Sequence, residues 1–485
     1  MSFALSARIR LIWVVLISVA LTTFAAGQGK LSWTPRLKDG LKLAEEKQRV
    51  LFVSIGFVGE ARSEFLRKTA FANNGIAKQA AETINVAAWT QQTSSKRKLP
   101  KFGDTEELDH HENLVEVMDE WLDPNDEDAV ALPQQLWIAS DGTLLLSCPW
   151  EMSSEELSWC FAEAARLAGV ENQPPAIDGA RPPRRLLYGK TARVPNRDPL
   201  GRGLLESELD EMIGRLRKRF LSWGDVGDVA RVMFSDFDEA VEFIEQQMGS
   251  WQLGGSRATP LTNGTIGLIG TLSPERYLSL LKEFAGEPNE TTRARVAVAL
   301  EQMGSARGLN MAKAGWKKEK HADARPEWVR ALGACGWNNK SVARTLMKIV
   351  QKDKDLRVRL NAVLALGHTL PDAGAREFLM EFADLSGGEE QLAAILALGL
   401  GRDRQAIGFL EKLRAERTEP EAEADADADA GEDEAATADP LRVHLDAVLK
   451  VLAGADLSEL ESLVGAIDGS DIKRDRLFFR ANPDS

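Results

Sequence analysis

Residues 357–367, RVRLNAVLALG, decide how this chain is built. The pattern recurs at a fixed interval: Leu300, Leu332, Leu364 and Leu396 are thirty-two residues apart each time. One position earlier stand Ala299, Ala331, Val363 and Ile395, all small or branched and apolar. Four residues before each leucine come Val296, Trp328, Leu360 and Leu392, one helical turn away on the same face. Arg293, Arg325 and Arg357 sit seven residues before the first three leucines, and Glu389 takes that place in the fourth copy. A helical face repeated at constant register implies a stacked helical solenoid.

The period makes a sharper test possible. A fifth copy, RVHLDAVLKVL, begins at Arg442, and its Leu449 follows Leu396 by fifty-three residues. The excess of twenty-one is the length of the acidic stretch 419–439, EPEAEADADADAGEDEAATAD, and removing that stretch restores the period. A second ladder agrees. Leu346, Phe378 and Leu410 are thirty-two apart, and Leu463 follows by fifty-three, so each unit is a helix pair and the array should end on a capping half-unit near 457–467. With Arg357, Leu360 and Leu364 on the pattern R-x-x-A-x-x-x-L, residues 274–468 resemble the HEAT-like repeat family in its short form of roughly thirty residues. The resemblance implies an α-α superhelix whose second helices line the inner surface and whose common use is to hold other proteins.

The first residues read as an export signal. Arg8 and Arg10 are basic, residues 11–24 are apolar, and Ala25, Ala26 and Gly27 form a small-residue cleavage site. The apolar run is short of the roughly 20 residues that span a bilayer. A periplasmic or secreted chain without a membrane span is therefore expected once 1–27 is removed, with an uncleaved N-terminal anchor as the alternative.

Residues 31–170 read as a separate α/β fold. VLFVSI at 50–55 is a buried strand run, 60–80 is helical, and 84–89 is strand-like. Pro133 opens QQLWIAS, Asp141-Gly142 makes a turn, 143–147 returns as a strand, and 155–168 closes as an amphipathic helix. This order, with Pro133 nine residues before Gly142, resembles the thioredoxin-like family. In that family the matching proline is cis and flanks the active site. The family's chemistry needs Cys-x-x-Cys at the head of the first central helix, and here residues 56–65 read GFVGEARSEF. Without a thiol at that place, disulfide exchange by the family's route is not expected. A polar insertion, 91–128, also separates Pro133 from the second strand run.

Residues 171–203, with two Pro-Pro pairs and Arg181, Arg184, Arg185 and Arg193, read as an extended linker. Residues 204–270 read as connecting helices (204–223 and 236–248), followed by a Gly- and Thr-rich loop at 251–265.

The net charge of −14 argues against nucleic acid as a partner, although the acidic stretch alone supplies ten of the carboxylates. That stretch alternates Ala with Asp or Glu and should be a disordered insert. Cys148 and Cys160 could pair across a strand end and its facing helix, but two buried reduced thiols are the simpler reading. Cys335 lies on the repeat's apolar face. The run DHHE at 109–112 lacks further ligands to complete a metal site, and His321, His368 and His444 are isolated. No G-x-S-x-G, P-loop or H-E-x-x-H occurs, so neither a catalytic constellation nor a cofactor is expected.

The favoured function is a redox-inactive, exported scaffold that binds proteins. The alternative is an enzyme, or an enzyme accessory, with a site between the two folds. Candidate contacts are Arg295, Arg330 and Arg359, a basic stripe on the exposed side of the second helices, where arginine's planar fork suits an acidic partner. Pairing of these arginines with acids on neighbouring units is the competing expectation.

Overall fold

The computed structural model describes residues 31–481 except 93–97, 123–127, 172, 196–200, 219–220, 222–224, 254–258, 273–274, 371, 417–438 and 471–479. The expected signal at 1–27 and nearly all of the acidic insert lie outside the described residues.

The N-terminal unit forms around β1 (Leu51–Phe57), which is buried along almost its whole length. Continuous burial explains why VLFVSI lacks alternation: both faces of the strand are covered. β1 pairs in parallel with β2 (Ile84–Thr90) and antiparallel with β4 (Gln134–Ile138), and β4 pairs antiparallel with β5 (Leu144–Pro149). The sheet order is β2-β1-β4-β5-β6, where β6 is Leu187–Tyr188. Phe52, Trp137 and Phe161 pack on one face, and Leu51, Val53, Ile55 and Val86 on the other. A second small sheet joins β3 (Asp128–Val130), β7 (Ala192–Pro195) and β8 (Arg480–Ala481).

Helix α1 (Leu37–Lys47) precedes this sheet. The single helix expected over 60–80 is two, α2 (Ala61–Lys68) and α3 (Asn74–Ala80), because Asn73 accepts from the backbone of Gly75 and Ile76 and starts a new helix. The polar insertion also contains structure that its composition concealed. Helix α4 (Glu107–Val117) packs on β2, and buried Asn113 bonds Leu37 N, Pro35 O and Ala87 O at 2.7–3.0 Å. Helix α5 (Ser154–Leu167) closes the unit behind a capping box made by Ser153 and Glu156.

The helical part begins with α6 (Glu206–Leu216), α7 (Val226–Ser235), α8 (Asp238–Leu253) and α9 (Thr259–Leu272). The Gly- and Thr-rich loop expected at 251–265 is mostly helix, because packing overrides weak propensity: α9 lies against α11 (Glu290–Met303), and Gly270 permits close approach to Ala299. Stacking thus extends upstream of the thirty-two-residue ladder. The row continues through α13 (Arg325–Cys335), α15 (Leu356–Leu366), α17 (Gly388–Leu400) and α19 (Pro440–Ala453), each packed on the one before. The first helices of the units are α10 (Leu278–Phe284), α12 (Leu309–Lys318), α14 (Lys340–Lys352), α16 (Ala373–Leu385) and α18 (Ile407–Glu416). Asn289, Asn339, Asp355, Asp372 and Asp439 cap successive helices. α17 and α19 stack although the acidic insert separates them in sequence.

The ladder arginines bind units together. Arg293 forks onto Glu319 at 2.8 and 3.0 Å, Arg325 reaches Asp353 at 2.9 Å, and Arg357 reaches back to Asp323 at 3.1 Å.

One expectation fails. Helix α20 (Glu461–Asp468) does not continue the first-helix row beside α18 as a terminal cap. It folds back across the second helices and packs on α15 and α17. The reason is visible in α15 and α17, which are buried on all sides along most of their lengths and need cover on their inner side too.

Close stacking yields a test. A Cβ on Gly333 would lie 2.4 Å from Ala365 O, a backbone atom of the next helix, whereas Gly214 in α6 faces open space. Gly333→Ala should lower stability by about 1–3 kcal/mol in urea unfolding. Gly214→Ala should be neutral or stabilising by up to about 1 kcal/mol; equal behaviour would contradict this packing.

Candidate functional site

At the head of α2, Glu60 caps the helix by accepting from Arg62 N at 3.2 Å and Ser63 N at 2.7 Å. Arg62 is fully buried. Its Nε donates to Phe234 O of α7 at 2.8 Å, and its Nη1 donates to Glu151 at 2.5 Å. The guanidinium lies 3.9 Å from the Phe234 ring centroid, and Phe234 meets Trp150 edge-on at 4.6 Å. Arg185 lies 4.8 Å from the Trp150 ring. The Leu132–Pro133 peptide is cis, and Leu132 N donates to Gly201 O at 2.6 Å. This end of the α/β unit is therefore a seam with the helical array rather than an open groove.

The linker forms the second seam. Trp337 Nε1 donates to Ala180 O at 3.3 Å, and Arg181 donates to Gly304 O at the C-terminal end of α11. Tyr188 N donates to Asp456 at 3.0 Å. Glu163 of α5 accepts from Tyr188 Oη at 2.9 Å and from Arg404 Nη2 at 2.7 Å, while Arg402 stacks 4.5 Å from the Tyr188 ring. Arg404 Nε also donates to Leu452 O at 2.9 Å, near the end of α19. Arginines thus meet the negative carbonyl ends of second helices, as the helix dipole favours. Between the linker, these helix ends and residues 457–464 lies a cavity of about 400 Å³.

The stripe inferred from sequence does not form. Arg330 is buried, and it donates to Glu301 of α11 at 2.5 and 3.0 Å and to Asp468 of α20 at 3.1 Å. Arg359 is half-buried and forks onto Glu390 of α17 at 2.9 and 3.1 Å. Arg295 is half-buried with its Nε lacking a partner. Arg330 and Arg359 are thus consumed by acids on neighbouring helices, because the fold-back of α20 and inter-unit pairing use the side expected to be free.

Cys148 and Cys160 are free and buried, and burial pushes both thiols well above the ordinary thiol range. His110 of the DHHE run is in the core, with its ring nitrogens 3.2 Å from Ala87 O and Pro100 O.

A different basic surface is exposed. Lys340, Arg344, Lys348 and Lys352 follow one another at four-residue spacing on α14, all exposed and none with an ion partner among the described residues. They span about 18 Å of helix. Lys317, Lys318 and Lys320, exposed around the end of α12, add to the positive side of the array. The area ends at α16, which presents Glu377, Glu381 and Asp384. The K-x-x-x-R-x-x-x-K-x-x-x-K spacing is legible in the sequence, on a first helix of the array rather than a second.

Two tests follow from the buried charges. Arg330→Met should cost about 3–5 kcal/mol in chemical denaturation, because it removes a buried cation bonded to both Glu301 and Asp468. A loss within experimental error would show that water reaches them. The seam should also respond to pH. Burial, opposed by hydrogen bonds from Ser63 and Arg62, raises the Glu60 carboxyl from 4.5 to about 7; burial, opposed by the charges of Arg62 and Arg276, raises the Asp236 carboxyl from 3.8 to about 6. Between the ordinary and raised values the folded state holds protons that the unfolded state has released, so stability falls as pH rises from about 4 to 7. The denaturation midpoint should fall between those limits, and Glu60→Gln should flatten part of the slope; an unchanged slope would rule Glu60 out as a source.

Residues 316–399 match the HEAT repeats family. No curated protein matches the chain. Among solved structures, the complex of CpcE and CpcF of phycocyanin lyase from Nostoc sp. PCC7120 is similar at 13% identity and TM-score 0.30, over 50% of this chain and 94% of that one. Human deoxyhypusine hydroxylase in complex with glycerol is similar at 16% identity and TM-score 0.25, over 53% of this chain and 89% of that one. The repeats of this chain are HEAT-like.

Proposed function

We propose that this chain is an exported, redox-inactive scaffold that holds an acidic protein partner on the outer side of its HEAT-like array. The observation that carries this reading is the α14 stripe: four exposed basic side chains, without ion partners among the described residues, in a protein of net charge −14. The inner side is already taken by the linker and α20, which moves the docking surface to the first helices. Clustered cations steer an acidic partner and make its affinity salt-sensitive.

In the same reading the N-terminal unit is thioredoxin-like. The order β2-β1-β4-β5, with β4 antiparallel to its neighbours, supports this, as does helix cover on both faces. Its chemistry does not accompany the fold. Arg62 and Glu60 stand where thiols would be needed, and the three cysteines are buried. Export rests on the sequence of residues 1–27 alone.

Reversing the stripe tests the docking surface. A Lys340→Glu, Arg344→Glu, Lys348→Glu variant should melt like the parent, since these side chains are exposed and unpaired. It should also lose the acidic proteins that the parent captures from an envelope extract at low salt. Capture of the same proteins with the same salt dependence would remove α14 as the docking surface.

A further inference from the structure

The cavity between the linker and the helical array carries an inference independent of the α14 surface. Its volume, about 400 Å³, falls within the roughly 300–1,000 Å³ of small-molecule sites. Much of its wall is apolar, including Met303, Ala334, Leu400, Leu460 and Val464. Its charged groups are mostly engaged. Arg330 holds Glu301 and Asp468, Arg181 holds Gly304 O and lies 3.9 Å from Glu156, and Asp456 accepts from Tyr188 N. Glu461, also on the wall, has a partner of its own.

Arg184 is different. Its guanidinium has no hydrogen bond or ion pair among the described residues. It lies over Gly304, where a Cβ would come within 3.3 Å of its Nε. Desolvation by the surrounding protein lowers its pKa to about 10, so it is still a cation at neutral pH. Yet its own surface is accessible, so the surface it presents is the cavity wall. His368 lies on the same wall, half-buried and without a hydrogen-bond partner among the described residues. Burial and nearby Arg184 lower its pKa to about 3, leaving a neutral ring that can donate one N–H.

We propose that this cavity binds a small-molecule carboxylate with an apolar body, its carboxylate forked by Arg184 and its body against Met303, Leu460 and Val464. A carboxylate matches the two parallel donors of a guanidinium that has no acceptor among the described residues. The surroundings select a single negative charge. Carbonyl ends of α11 and α13 face this region, with Gly304 O bonded to Arg181 and Ala334 O beside Gly304. Helix C-termini repel anions, so they disfavour a multiply charged phosphate more than a carboxylate.

The probe is octanoate, with octanamide as its neutral counterpart and octyl phosphate as the multiply charged one, titrated calorimetrically into the mature full-length protein. Octanoate should bind saturably and about 10- to 100-fold more tightly than octanamide, the range expected for charge-assisted bonds. Octyl phosphate should be weaker than octanoate. Arg184→Gln should abolish the preference for octanoate over octanamide. Arg184→Lys keeps the charge without the fork, and should keep part of the preference. If Arg184→Gln fails to fold, hydrogen exchange on the parent decides: octanoate should protect amides in 181–187 and 457–464. Equal binding of octanoate and octanamide, no binding by either, tighter binding of octyl phosphate, or protection confined to other segments would overturn the proposal.

Discussion

The structure depends on one constraint: the middle second helices of the array, α13, α15 and α17, are buried on every side. In α13, residues 326–335 are all buried, and in α17 so are 393–399. Stacking covers two sides of such a helix and its own first helix covers a third. The fourth side needs another segment, since exposing it would leave a long apolar strip in water. The linker and α20 provide that cover. This is why α20 turns back instead of ending the row, and why residues 180–188 cross the helix ends instead of hanging between two units.

Covering the fourth side brings charge into the interior, and charge there must be matched. Arg330 lies between Glu301 and Asp468, two acids that belong to helices on different sides of it. Such a triad adds little net stability over an apolar filling, but it penalises any register in which one member is missing. Asn361 adds to the same lock by donating to Asp468 O at 2.9 Å. The arginines at the helix ends obey the same rule with carbonyl dipoles as partners. Arg184, with no such partner among the described residues, lines the cavity.

The α/β unit is tied to the array through the head of α2. Arg62 bridges a helix N-terminus to a backbone carbonyl of α7 between two aromatic rings. A buried cation held this way fixes the angle between the two parts more narrowly than an apolar contact would, because its donors must keep their directions. The surface given to Arg62, Trp150 and Phe234 is not available to a substrate.

The sequence by itself determined the repeat, its period, the position of the acidic insert and the order of the four central strands in the N-terminal unit. These follow from local periodicity, which depends on residues three or four apart and is repeated often enough to exceed chance. The all-round apolar character of AAILALG in α17 was also present, and it implied a cover without naming one. Tertiary structure alone decided which segments cover the array, that Arg330 and Arg359 are paired, that α4 lies within the polar insertion, and that Arg184 faces a cavity. Those outcomes rest on contacts such as Arg330 to Asp468, 138 residues apart, and Arg62 to Phe234, 172 apart. No periodicity encodes such a pairing; it is selected when distant segments compete to cover the same apolar surface, and the winner is fixed by shape and by the buried charges it satisfies.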